Sequence, residues 1–175
     1  MNVVEVIGTI VFDPENMTKK HDAHAVWKRV AMLMIDCDIS DYYAWFLKKR
    51  FSISLHSPQR GAHITFINDR TRDMNDQWDR VKREWNGKNI AVRISTDART
   101  DAEYWWLNLL PSADLTSIRT ELGLGDPFFK YHLTIGRAVN CRSNSPNENG
   151  SIRAMEMHEE QSQYIHRLIQ KGLIE

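Results

Sequence analysis

The chain has 175 residues, and its 23 Lys and Arg residues balance 23 Asp and Glu residues. This length suits one domain with a substantial core, and the zero net charge argues against a protein that binds long DNA or RNA by neutralising many phosphates. The isolated Cys37 and Cys141 are too few for a disulfide framework, the N-terminus lacks the pattern of a signal peptide, and no stretch approaches the roughly 20 apolar residues of a membrane span. We therefore expect a soluble, cytoplasmic protein without a membrane partner.

Strands and helices are predicted to alternate in the first half of the chain. Residues 3–11 are rich in β-branched side chains and predict a strand, and the apolar run at 29–36 predicts a buried strand. Ser40 is placed to cap a helix at 40–50. A strand at 62–67 follows.

The second half begins with a helix at 73–85, with Asp73 at its start and Gly87 as its C-cap. Two strands, at 89–94 and 103–110, are then predicted around a polar turn at 95–102. The remaining predicted elements are a helix at 113–122 capped by Ser112, a strand at 131–139, a linker at 140–150 and an amphipathic C-terminal helix at 151–175.

Both halves contain a strand, a serine-capped helix and a second strand that carries a histidine-x-threonine triplet. His63 follows Ser40 by 23 positions, and His132 follows Ser112 by 20. This weak internal repeat predicts an α+β protein with two similar sheet-plus-helix lobes, each of which places its triplet at a shared cleft.

The triplets end in Thr65 and Thr134, two residues after His63 and His132. Residues i and i+2 of a strand point to the same face, so each histidine and its threonine should project together. Imidazole titrates near neutrality, so one ring can act as a general base while the other acts as a general acid. The threonine hydroxyls can donate hydrogen bonds to phosphate oxygens. This chemistry requires no metal, and two triplets in similar surroundings favour it over two packed or surface histidines.

The triplets HIT (63–65) and HLT (132–134) resemble the paired signature of the two-histidine phosphoesterase superfamily. Their frames, RGAHITFINDR and FKYHLTIGR, are similar to those of phage anti-CBASS cyclic-oligonucleotide phosphodiesterases, and the resemblance extends over most of the chain. It implies a bilobal domain over 1–139, a linker at 140–150 and a C-terminal segment at 151–175 that serves as a lid on the active site.

The resemblance also implies an activity. It is that of a metal-independent phosphodiesterase without cofactors, which hydrolyses the 3'-5' bonds of cyclic di- and trinucleotide immune signals and counters CBASS defence in the host cytoplasm. His63 and His132 would transfer protons, and Thr65 and Thr134 would hold the phosphate. The substrate's ribose 2'-hydroxyl would attack the phosphorus to form a 2',3'-cyclic phosphate, and water would then leave a linear product with a 3'-phosphate.

A cyclic nucleotide also needs aromatic side chains and cations around its bases and phosphates. Trp105 and Trp106 are adjacent in a predicted strand, so one should face the core and the other should face outward. The substrate-binding candidates are Trp105, Trp106, Lys130, Tyr131 and Arg137, with Glu160 as the lid carboxylate that the resemblance implies. Core packing and solvated strand ends are the alternative interpretations of these residues.

Two other functions stay open. The chain could be an RNA-end or 2'-5' oligonucleotide phosphodiesterase, although its neutral charge argues against long RNA. It could also be a sponge that binds a cyclic nucleotide without cutting it, although a sponge does not need paired acid and base groups. The sequence leaves open the base preference, the ring size, the order in which the histidines act and the oligomeric state.

Overall fold

The computed structural model describes residues 2–14, 18–19, 22–26, 29–68, 75–101, 103–127 and 129–139. Over these residues the protein is a mixed α+β structure, as predicted, with a seven-stranded antiparallel sheet and three helices. The predicted linker at 140–150 and the C-terminal helix at 151–175 lie outside the described residues. Among the described helices, none has the length and apolar character needed to cross a membrane.

The elements follow one another in a simple order. The strands are β1 (Val3–Phe12), β2 (Thr18–Lys19), β3 (Asp22–Val26), β4 (Ala31–Ile35), β5 (Leu55–His56), β6 (His63–Ile67), β7 (Asn89–Thr100), β8 (Tyr104–Leu109) and β9 (His132–Ala138). The helices are α1 (Asp38–Phe51), α2 (Asn75–Trp85) and α3 (Ala113–Glu121). β2 and β3 form a separate two-stranded sheet, and the large sheet has the order β5-β9-β8-β7-β1-β4-β6.

Most of the predicted elements in this part of the chain are confirmed, and α3 illustrates why. The Ser112 hydroxyl accepts a hydrogen bond from the backbone N–H of Leu115 at 3.5 Å, as expected for an N-cap. Gly87 and Gly123 adopt φ angles of 83° and 66° just after α2 and α3, a conformation that glycine adopts without steric cost. Asp73, predicted to open α2, lies outside the described residues.

Two local predictions are wrong. Ser40 does not cap α1, because the helix begins at Asp38 after Cys37 and the Ser40 hydroxyl donates to the Cys37 carbonyl oxygen at 2.8 Å. The polar turn predicted at 95–102 is wrong for residues 95–100, because β7 continues to Thr100 with a register irregularity against β8. Polar residues are compatible with a strand there because one face of the sheet is not packed in the core.

Alternation along the triplet strands is confirmed. Ile64 and Leu133 are fully buried in the core, whereas His63 is half-buried and His132 is exposed. The helices cover the face of the sheet that carries the buried residues, and the core forms between them. The histidines therefore belong to the other face.

The large sheet curls so that β6 and β9 approach each other. β6 is at one edge of the strand order and β9 is next to the other edge, yet Cα atoms of the two strands come within 8 Å. A flat seven-stranded sheet would span about 29 Å between its outermost strands, whereas the chain from His56 in β5 to His63 in β6 can reach at most about 25 Å. The connection at 57–62 therefore limits how far apart the edges can lie.

Candidate active site

The two triplet histidines are held in the same way. His63 Nδ1 lies 2.9 Å from the carbonyl oxygen of Gly61, and His132 Nδ1 lies 3.0 Å from that of Lys130. A carbonyl oxygen can only accept a hydrogen bond, so each neutral ring carries its proton on Nδ1 and keeps the Nε2 lone pair for a ligand. Each histidine is thus oriented by the residue two positions before it.

The two histidines differ in their surroundings. Burial lowers the pKa of His63 below its ordinary value, the hydrogen bond with the Gly61 carbonyl opposes this, and the positive charges of Arg60 and His132 lower the pKa further. At neutral pH, His63 is therefore in the neutral form that a general base needs.

Two cavities meet at the triplets. The His63 cavity, of about 380 Å³, is lined by His56 and the following residues 57–60, together with His63, Tyr104, Thr134, Gly136 and Arg137. The His132 cavity, of about 810 Å³, is lined by Arg99, Asp101, Tyr104, Trp106, Asn108, Phe129, Lys130, His132 and Thr134. Tyr104 and Thr134 line both cavities, so the two cavities adjoin at these side chains.

Three of the four residues of the predicted catalytic set line these two cavities. His63 and Thr134, from different triplets, line one cavity, and His132 and Thr134 line the other. Thr65 is half-buried in β6 but is not among the residues that line these two cavities. The structure thus gives the two threonines unequal positions, which the symmetry of the triplets did not predict.

The tryptophan pair divides as the strand period predicts. Trp105 is only 6% exposed and belongs to the core, so its ring is not placed to stack on a ligand. Trp106 lines the His132 cavity, and its ring centroid lies 6.1 Å from that of His132. Its indole N–H donates to Asn108 Oδ1 at 3.2 Å, which orients the indole beside the imidazole.

The other binding candidates lie at the rim of the site. Lys130 is exposed and lines the His132 cavity, while Tyr131 lines a neighbouring cavity of about 740 Å³. Arg137 lines the His63 cavity, where it forms an ion pair with Glu103 at 2.6 Å and lies 5.9 Å from the ring centroid of Tyr104. Its charge is therefore shared with a carboxylate. Glu160 lies outside the described residues.

Some lining residues were missed by the sequence interpretation. Asn108 lies two positions after Trp106 in the same strand, so the strand period could have identified it. Arg99 and Asp101 come from the end of β7 and the residue after it, and Arg99 lies opposite Trp106 in the sheet. No sequence pattern indicates that register, because it depends on how β7 and β8 pair around an irregularity.

One buried side chain links β6 to the connection between α3 and β9. Arg119 on α3 is 5% exposed and donates to the carbonyl oxygen of Phe66 in β6 at 3.1 Å. The same guanidinium donates to the carbonyl oxygen of Gly125 at 2.7 and 2.9 Å, in the connection that leads towards β9. Arg119 therefore holds this connection against the strand that carries His63.

No family model matches the chain, and no curated protein or solved structure matches it either. Within the described part of the chain, no group of three or more His, Cys, Asp or Glu side chains is arranged to hold a metal ion.

Proposed function

We propose that the protein is a metal-independent phosphodiesterase of the two-histidine type, which opens cyclic di- and trinucleotides at a 3'-5' bond. The observation that carries this proposal is the meeting of two cavities at Thr134, with a carbonyl-oriented histidine in each cavity. A phosphodiester has a nucleoside on each side of its phosphorus. A site with a proton-transfer group and a cavity on each side of a hydroxyl donor suits such a substrate.

The first chemical step uses both rings. His63, neutral at pH 7, takes the proton of the ribose 2'-hydroxyl through Nε2, and the 2'-oxygen attacks the adjacent phosphorus. The bond from phosphorus to the 5'-oxygen breaks, and His132 supplies the proton that the leaving oxygen needs. The Thr134 hydroxyl donates a hydrogen bond to a non-bridging phosphate oxygen. This bond stabilises the negative charge that develops on that oxygen in the transition state.

The second step hydrolyses the 2',3'-cyclic phosphate with the roles reversed. His132 takes a proton from water, the water oxygen attacks phosphorus, and His63 returns a proton to the 2'-oxygen. The product is a linear oligonucleotide with a 5'-hydroxyl and a 3'-phosphate, and both histidines regain their starting protonation states.

The bilobal architecture and the biological role belong to the same proposal. The curl of the sheet, which brings β6 and β9 within 8 Å of each other, supports two lobes around one cleft. The role against host CBASS defence rests on the resemblance of the chain to phage anti-CBASS phosphodiesterases, which includes the two triplet frames and extends over most of the chain.

The decisive experiment is incubation of the pure protein with a panel of cyclic di- and trinucleotides and a short RNA in EDTA, with products identified by mass spectrometry. Linear products with a 3'-phosphate from the cyclic substrates support the proposal. Cleavage of the RNA alone would indicate an RNA-end phosphodiesterase, and stable binding without products would indicate a sponge. A substrate analogue that lacks the 2'-hydroxyl should resist cleavage, because it lacks the nucleophile.

A further inference from the structure

We infer that the His132 cavity is a guanosine subsite, so that the protein cleaves the bond on the 5' side of a guanosine. This inference rests on the proposed function and names the base that its site selects.

An aromatic surface is available in this cavity. Trp106 is half-buried beside His132 and is oriented by the hydrogen bond to Asn108, and Phe129 lines the same cavity. Bases stack on such rings with little preference among them. Stacking on Trp106 therefore accounts for binding of a base, whereas selection must come from polar groups around the ring.

Two hydrogen-bond donors line the His132 cavity near Trp106. Arg99 is exposed, lies opposite Trp106 in the sheet and lines the cavity, and within the described part of the chain its guanidinium makes no hydrogen bond or ion pair. Asn108 Oδ1 accepts from the indole, so its amide nitrogen remains as a donor. A guanidinium can donate two hydrogen bonds to O6 and N7 of guanine, which is a frequent specific contact between proteins and bases.

An acceptor faces the same cavity. Asp101 Oδ1 accepts from the backbone N–H groups of Glu103 at 3.0 Å and Tyr104 at 2.6 Å, which holds the carboxylate in place and leaves Oδ2 for a ligand. Guanine carries N–H donors on N1 and N2 beside its O6 and N7 acceptors. One guanine can therefore donate hydrogen bonds to a carboxylate and accept hydrogen bonds from a guanidinium. Adenine has no oxygen for Arg99 and only its N6 amino group as a donor for Asp101.

The location of the cavity determines which bond is cut. It contains His132 but not His63, and in the proposed mechanism His132 protonates the leaving 5'-oxygen. The nucleoside bound there is therefore the one that leaves with a free 5'-hydroxyl. From a cyclic dinucleotide of guanosine and adenosine, the product should begin with guanosine and end with adenosine 3'-phosphate.

The first test measures binding and needs no turnover. Guanosine 5'-monophosphate and adenosine 5'-monophosphate are titrated into the protein in EDTA by calorimetry, because each places a phosphate where the leaving 5'-oxygen would lie. Guanosine 5'-monophosphate should bind at least about tenfold more tightly. Equal affinities, or a preference for adenosine 5'-monophosphate, would overturn the inference.

Substitutions test which side chains produce the preference for guanosine 5'-monophosphate. Arg99→Met and Asp101→Asn should each reduce it towards equal affinity, and Asn at 101 can still accept the two backbone hydrogen bonds through its amide oxygen. Arg93→Met is the matched control, because Arg93 is an exposed arginine of the same strand that lines neither cavity. A preference that survives Arg99→Met, or that is lost equally in Arg93→Met, would rule out reading of the base by Arg99.

The second test reads the product. Tandem mass spectrometry distinguishes a linear product that begins with guanosine from one that begins with adenosine. The first product should dominate, and an equal mixture or the second product would overturn the assignment of the leaving nucleoside. Selective binding of guanosine 5'-monophosphate without cleavage of cyclic nucleotides would support the subsite and refute the proposed function. Cleavage of cyclic nucleotides without a base preference would support the proposed function and refute the subsite.

Discussion

His63 and His132 lie 69 positions apart in the chain, yet each ring holds Nδ1 against the carbonyl oxygen two residues before it, at 2.9 and 3.0 Å. Each histidine is also the first residue of its strand, β6 or β9. The shared hydrogen bond leaves Nε2 of both rings for a substrate, as two proton-transfer groups acting on one phosphate require.

This relationship can be tested by replacing each histidine with asparagine. The Asn side-chain nitrogen can donate to the same carbonyl oxygen as Nδ1, but Asn cannot act as an acid or a base. His63→Asn and His132→Asn should each lower kcat by about 10²–10⁴-fold while the thermal midpoint stays close to that of the parent protein. Turnover near the parent rate in either variant would contradict the proton-transfer roles.

The threonines are expected to differ in importance. Thr134 lines both cavities and Thr65 lines neither, so Thr134 is the better-placed donor to the phosphate. Thr134→Val should lower kcat by about 10²-fold, as loss of one donor to a developing oxyanion does, and Thr65→Val should have a clearly smaller effect. Equal losses in the two variants, measured at saturating substrate, would show that both hydroxyls contact the phosphate.

The pH dependence of turnover should report the lowered pKa of His63. A general base acts in its deprotonated form, so kcat/KM should rise with pH through a pKa below the ordinary histidine value. Arg60→Gln removes a positive neighbour that favours the neutral ring, so this limb of the profile should move to higher pH. A limb that stays in place or moves to lower pH would refute the influence of the Arg60 charge.

Gly136 permits the close approach of β5 to β9. A Cβ atom at Gly136 would lie 2.6 Å from the backbone oxygen of His56 and 2.9 Å from Leu55 Cβ, so the strands would have to separate. Gly136→Ala should destabilise the fold by about 1–3 kcal/mol, measured by denaturant unfolding, and should lower activity because Gly136 lines the His63 cavity. Gly125→Ala is the control, since a Cβ there meets nothing within 4 Å.

Arg119 should matter for stability although it lines neither cavity. Arg119→Met leaves the buried carbonyl oxygen of Phe66 and the carbonyl oxygen of Gly125 without this donor, at a cost of about 2–4 kcal/mol in the free energy of unfolding. Arg80→Met removes an exposed arginine with one long hydrogen bond to a carbonyl oxygen, and it should change stability by less than about 0.5 kcal/mol. Similar losses in both variants would refute the structural role of Arg119.

The local parts of this protein were predictable from the sequence. The alternation that buries Ile64 and Leu133 and leaves the histidines on the other face follows from a period of two residues along a strand. The Ser112 cap was also predictable, because a cap depends on residues within one helical turn. The prediction of a Ser40 cap was wrong, because α1 begins at Asp38 and Cys37 occupies the N-cap position.

By itself, the sequence determined that two strands carry equivalent histidine-threonine pairs, because side-chain direction within a strand is a local property of the backbone. Only the tertiary structure decided that Thr134 rather than Thr65 lines both histidine cavities, and that Arg99 lies opposite Trp106. These relationships depend on the strand order, the register of β7 against β8 and the curl of the whole sheet. All three are set by packing between residues that are distant in the chain, which no local pattern encodes.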